Sequence, residues 1–219
     1  MEKITKNKYF IGIIVSIIIS ITVLIIYKTV NIRKKSAFIV SSIDKRIYRV
    51  IEEFYDKNDA VNIMAEVNAF IFDYLKYMRN KYKIKKKGQR NEIEFVERML
   101  NNYNPDNILE NDPLPGEDTS YVINKGDEFG ICLRNKSDNP GKIHDIDIIK
   151  FVVLHELAHL GNITYGHEYD FWAFFKFILI NAVEADLYTP VNYRLTPVNY
   201  CGLEITFSPY YSNYDWKNL

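Results

Sequence analysis

Neither sign of charge is in excess in this chain: 28 Lys and Arg balance 28 Asp and Glu over 219 residues. Net charge therefore names no polyanionic partner. Cysteine is scarce. Cys132 and Cys201 make no recognisable zinc-ribbon or redox pattern. They leave either one disulfide or two buried thiols, and a reducing compartment favours the thiols. Histidine is also sparse, with four residues, all between His144 and His167. Aromatic residues are plentiful by contrast, with 17 Tyr and 13 Phe, enough to fill a substantial core. The length allows one compact domain with appendages.

The informative stretch is Phe151-Val152-Val153-Leu154-His155-Glu156-Leu157-Ala158-His159-Leu160-Gly161. On an α-helix, His155 and His159 stand on one face with Cβ atoms roughly 5–6 Å apart. Two imidazole nitrogens can then reach one Zn2+ at about 2.0–2.1 Å each. Glu156, beside the first histidine, is placed to take a proton from an activated water. This is the H-E-x-x-H pattern of zinc peptidases. The ordinary alternative is a buried helix whose histidines bond to backbone. The apolar flank of Ile148, Ile149 and Phe151 to Leu154 encloses the site instead of solvating it.

Together with Gly166-His167 and Phe171-Trp172, this segment resembles the zincin metallopeptidases, most nearly the WLM and SprT-like group. Tyr121 to Gly126, Cys132-Leu133-Arg134 and Tyr200-Cys201-Gly202 resemble segments of small membrane-anchored WLM-like proteins of large DNA viruses. The resemblance covers roughly Asn104 to Pro209. It implies an α+β fold: a mostly helical zincin-like domain with a small sheet or hairpin before the motif helix. It also implies a peptide or protein substrate and His167 as third zinc ligand. Many relatives place that ligand six residues after the second histidine, whereas His167 follows His159 by eight. Glu168 and Glu184 are the competing ligands, and Glu184 would make the site gluzincin-like. A metzincin arrangement is excluded by the spacing and because no methionine follows Met99 for a Met-turn. Glu184 or Asp186 can instead orient an imidazole from behind. Tyr165, Tyr193 and Tyr200 are candidate donors to the developing oxyanion. The rival functions are a catalytically silent zincin-fold interaction protein, against which intact Glu156 argues, and a DNA-associated crosslink-repair protease.

The domain plan has four parts: a short tail at 1–8, an apolar run at 9–27, a basic link at 28–41 and the zincin-like domain at 42–219. The run Tyr9 to Tyr27 carries no charge. As a helix it would span about 28 Å, near the roughly 30 Å hydrocarbon core. A single-pass anchor in a lipid bilayer is the expectation. Lys3, Lys6 and Lys8 precede it; Lys28, Arg33, Lys34, Lys35, Lys45 and Arg46 follow, so the positive-inside rule puts the domain in the cytosol. Asn162-Ile163-Thr164 and Asn135-Lys136-Ser137 are sequons that a lumenal domain would carry modified. Lys76 to Arg90 holds eight basic residues, a solvated surface or a patch near anionic lipid, with nucleic acid the less favoured partner.

Periodicity predicts a helix through Ile43, Ile47, Val50, Ile51 and Phe54, packed antiparallel to a second one capped by Asp59 and running through Ile63 to Met78. Asn91 and Glu94 suggest a capping box, and Asn104 to Asp118 reads as a loop. Tyr121 to Ile123 and Phe129 to Arg134 read as a hairpin; the resemblance implies that one of these strands pairs with extended substrate. Asp145 should cap the motif helix and Gly161 end it in left-handed conformation. A last helix runs from Glu168 to Tyr188. Thr189-Pro190-Val191-Asn192-Tyr193 recurs as Thr196 to Tyr200, which suits a doubled turn or an extended segment lining the cleft.

Overall fold

The computed structural model describes residues 13–25, 35–85, 90–137, 139–217 and 219. The protein is α+β and divides into two units, Met1–Lys35 and Ser36–Leu219. In the first, residues 13–25 form a helix, α1, with its apolar side chains exposed. The second contains β1 (Ser36–Val40), β2 (Ile47–Ile51), α2 (Lys57–Lys85), α3 (Arg90–Asn102) and β3 (Ile108–Asn111). There follow β4 (Tyr121–Ile123), β5 (Glu128–Cys132), α4 (Ile146–Gly161), α5 (Tyr169–Glu184), β6 (Val198–Tyr200) and β7 (Leu203–Ile205).

The apolar run at 9–27 is not the single-pass anchor that its composition suggests. No helix among the described residues is long and apolar enough to cross a membrane. The described helix, residues 13–25, measures roughly 20 Å, against roughly 30 Å of hydrocarbon. Positions 9–12 and 26–27 lie outside the described residues. Neither the transmembrane helix nor the single-pass, cytosol-facing placement expected from the flanking lysines is supported. Asn162 is 3% exposed and donates its side-chain amide to Thr164 Oγ1 at 2.9 Å, so its sequon offers no free acceptor.

The sheet is also larger than a hairpin. Five strands run in the order β1-β2-β3-β5-β4, antiparallel at both edges and parallel through β2, β3 and β5. The supposed helix at 43–54 is a turn and a strand. Ser41 Oγ accepts from the amides of Ile43 and Asp44, and Asp44 Oδ1 from Arg46. Past that turn Tyr48 and Val50 point into the core while Ile47 and Arg49 point out, a period of two that suits β-branched and aromatic residues. Because β1 pairs with β2, the compact unit begins at Ser36, within the stretch 28–41 read as a link and not at 42.

Strand β3 lies inside the stretch read as a loop and is the centre of the sheet. Its Glu110 is buried, with Oε1 2.7 Å from Arg134 Nε and Oε2 accepting from Ile51 N at 2.7 Å. Arg134 is 2% exposed; it also donates to Asp56 at 2.7 Å and lies over the Phe54 ring. A buried carboxylate is tolerated in a central strand only with such partners.

Helix α4 is the innermost helix, with apolar side chains buried on nearly every side. Asp145 caps it by accepting from Asp147 N at 2.9 Å. Gly161 is its last residue but not in left-handed conformation: its φ is not positive, and glycine is needed there because a Cβ would meet the Phe95 ring at 2.6 Å. Three side chains take the carbonyls this end leaves open: Lys125 on His159 O, Asn102 on Leu160 O and Arg98 on Gly161 O. Helix α5 stops at Glu184, four residues short of its expected end. Of the two states open to them, disulfide or buried thiols, Cys132 and Cys201 take the disulfide, with Cα atoms 6.3 Å apart. It ties β5 to the turn between β6 and β7.

Candidate metal centre

Helix α4 presents His155 and His159 on one face, and the loop after Gly161 brings back His167. Their Nε2 atoms form a triangle with edges of 2.9, 3.2 and 3.3 Å. Ligand bonds of about 2.0–2.1 Å at tetrahedral angles place nitrogens about 3.3–3.4 Å apart. Two edges are near that span and the His155–His167 edge, at 2.9 Å, is shorter, so a small opening of the triangle lets the three reach one zinc ion. Three imidazoles meeting through Nε2 cannot all satisfy one another as donor and acceptor. Neutral rings with protons on Nδ1 aim three lone pairs at one point, as a cation requires. Among the described residues this is the one grouping of three or more His, Cys, Asp or Glu with ligand atoms converging so closely.

An aromatic shell fixes the rings. Phe171 stacks on His159 at 4.3 Å and meets His155 and His167 edge-on at 4.8 and 4.6 Å. Phe175 lies 5.1 Å from His155 and Trp172 5.7 Å from His167. Burial holds His155 well below the usual imidazole range, with His159 and His167 adding to it. His159 falls to about 4 by burial, then by His167 and Lys125. Burial lowers His167 too, against the pull of Asp118. The rings are neutral at neutral pH, the form that binds metal.

Glu156 is 4% exposed, and among the described residues no donor bonds to its carboxylate. Burial, then Asp118, pushes it up to about 8; a bound dication acts in the opposite direction. Two cavities meet at His155, Glu156 and His167. One, of about 250 Å³, is walled by Tyr121 and Val122 of the edge strand β4, by Lys125 and by Tyr165. The other, of about 470 Å³, is walled mainly by aromatic and aliphatic side chains.

The remaining candidates separate clearly. Glu184 pairs with Lys81 and accepts from Tyr77 Oη, so its carboxylate is held by α2. That pair also takes Lys81 out of the basic run at 76–90; the side chains at 83–85 and residues 86–89 lie outside the described residues. Asp186 sits in the turn after α5, with φ +57°. Tyr193 is buried against Phe151. Tyr200 lines the larger cavity, but its hydroxyl donates to Cys132 O at 2.6 Å and meets Ser120 Oγ at 2.8 Å. Tyr165 lines the smaller one, with the Lys125 ammonium 4.5 Å from its ring centre.

Sequence reasoning missed Asp118, Ser120 and Lys125. Asp118 and Ser120 stand at the end of the 104–118 stretch and just before β4, and line both cavities. Lys125 donates to Thr164 O at 3.0 Å as well as to His159 O, tying the β4–β5 turn to the loop that carries His167. No local spacing announces these residues; only the pairing of β4 beside α4 does.

Two viral proteins are similar in sequence. The uncharacterized protein R325 of Acanthamoeba polyphaga mimivirus is 28% identical over 199 residues, covering 90% of this chain and 95% of that protein. The uncharacterized protein 136R of Invertebrate iridescent virus 6 is 34% identical over 90 residues, 41% of this chain and 48% of that one. No family model matches the chain, and no solved structure does.

Proposed function

We propose that the protein is a zinc-dependent metallopeptidase of the zincin type, akin to the WLM and SprT-like group. The observation that carries this reading is the convergence of His155, His159 and His167 beside the buried carboxylate of Glu156, to which no donor among the described residues bonds. The three imidazoles would hold the metal. Bound zinc supplies Lewis-acid polarisation and lowers the pKa of water, chemistry for which the neighbouring Glu156 is the matching base. Glu156 takes the proton of the attacking water and returns it to the amine nitrogen as the peptide C–N bond breaks. The unpaired side of β4 offers backbone groups to an extended peptide, which gives main-chain affinity with loose sequence preference. Phe171, Trp172 and Phe175 hold the rings in place and exclude water behind them.

Zinc content by mass spectrometry and cleavage of a peptide library test this. Glu156→Gln should retain near-stoichiometric zinc and fold while hydrolysis falls by several orders of magnitude. Wild-type turnover in that variant, or a wild-type protein that takes up no zinc, overturns the reading.

A further inference from the structure

The larger cavity opens directly off the imidazole cluster. Its floor is Phe151 and Phe175, both buried, and Phe175 lies 5.1 Å from the His155 ring. Its sides are Trp172 and Phe207, whose rings meet edge-on at 5.4 Å, facing Leu203 and Ile205 of the β6–β7 hairpin. Leu203 is 57% exposed at the mouth. Among the described residues no lysine or arginine lines this space, though Arg194 lies over the Phe207 ring at 5.0 Å, whereas Glu117, Asp118 and Glu204 line it together with Glu156. Its volume of about 470 Å³ lies in the range that holds a small ligand or one large side chain.

Resting on the peptidase reading, we infer that this cavity is the specificity pocket and takes one large uncharged apolar side chain, aromatic or branched aliphatic, from a residue next to the cleaved bond. Phe175 makes the apolar floor continuous with the rings that would hold the metal, so a side chain seated there fixes its own peptide bond over Glu156. The acidic lining rejects Asp and Glu at that position. Burying one large apolar group instead of a methyl is worth roughly ten- to hundredfold in affinity or turnover.

The test uses the zinc-loaded full chain and two dipeptide hydroxamates that differ only in a benzyl or methyl side chain, with affinities measured by calorimetry. The benzyl compound should bind roughly ten- to hundredfold tighter, and Leu203→Glu should erase most of that difference. Cleavage sites mapped in a peptide mixture should show Phe, Tyr, Leu or Ile at one flanking position and a deficit of Asp and Glu. A zinc-loaded protein that binds both hydroxamates alike, or that favours acidic residues there, overturns the pocket and leaves the peptidase reading standing. A protein that takes up no zinc overturns both.

Discussion

The disulfide can be removed without touching the imidazole cluster. Cys132 and Cys201 close a loop with a sequence separation of 69. The chain-entropy relation then gives about 15 cal/mol/K, or about 4 kcal/mol at 25 °C. Domains are stable by only about 5–15 kcal/mol, so that is a large share. For a domain of this size unfolding in urea with a slope of about 3 kcal/mol/M, the midpoint should fall by about 1.4 M in the Cys132→Ser/Cys201→Ser double variant. Urea titrations of that variant and of the oxidised protein, followed by circular dichroism, measure the difference. Midpoints within about 0.3 M of each other refute the reasoning, because the loop would then be closed as well by packing as by the bond. Since the bond also anchors the β6–β7 hairpin, the double variant should lose part of the benzyl preference.

Four further outcomes are expected. His167→Ala should cut zinc affinity sharply in a competition titration, while Glu184→Ala, which breaks only a partly exposed pair with Lys81, should leave affinity near wild type and cost under about 1 kcal/mol of stability. Arg134→Leu strands Glu110 and Asp56 and should cost about 3–5 kcal/mol in chemical denaturation. Gly161→Ala drives a methyl into Phe95 and should cost about 1–3 kcal/mol, with helix content unchanged. His144 is held below its usual pKa by burial, and its Nε2 accepts from Cys201 N at 3.0 Å. A depressed folded-state pKa means the unfolded chain binds the proton first, so His144 should make stability fall as pH drops below about 6.5. A His144→Gln variant should flatten that slope in thermal melts between pH 7 and 5.

The motif helix could be read because its chemistry is local: His155, Glu156 and His159 fall within one turn and a cap precedes them. His167 was accessible through its Gly-His context, being joined by a short loop. Strand β2 was misread because Ile43, Ile47, Val50, Ile51 and Phe54 satisfy three- and four-residue spacing as well as alternation, and the Ser41 turn that decides between them uses side-chain bonds invisible to periodicity. Strand β3 was hidden by Glu110, a charge at a core position explained only by Arg134, 24 residues later. The apolar run at 9–27 was judged by composition, whereas no helix among the described residues is long and apolar enough to cross a membrane. Asp118, Ser120 and the disulfide depend on which strands become neighbours, information that no single window of the chain contains.

The end of α4 is held by Arg98, Asn102 and Lys125, all outside the segment between His159 and His167. The two histidines on the helix thus owe their position largely to α3 and the β4–β5 turn, to which the connecting loop adds the bond from Asn162 N to Ala158 O at 2.9 Å. That loop is itself tied at Thr164, whose carbonyl accepts from Lys125 and whose hydroxyl donates to Asp170, so a change in its length must keep those bonds and still deliver an imidazole to the triangle. Residues added around Ile163, 68% exposed, should therefore be accepted more readily than any shift in α3.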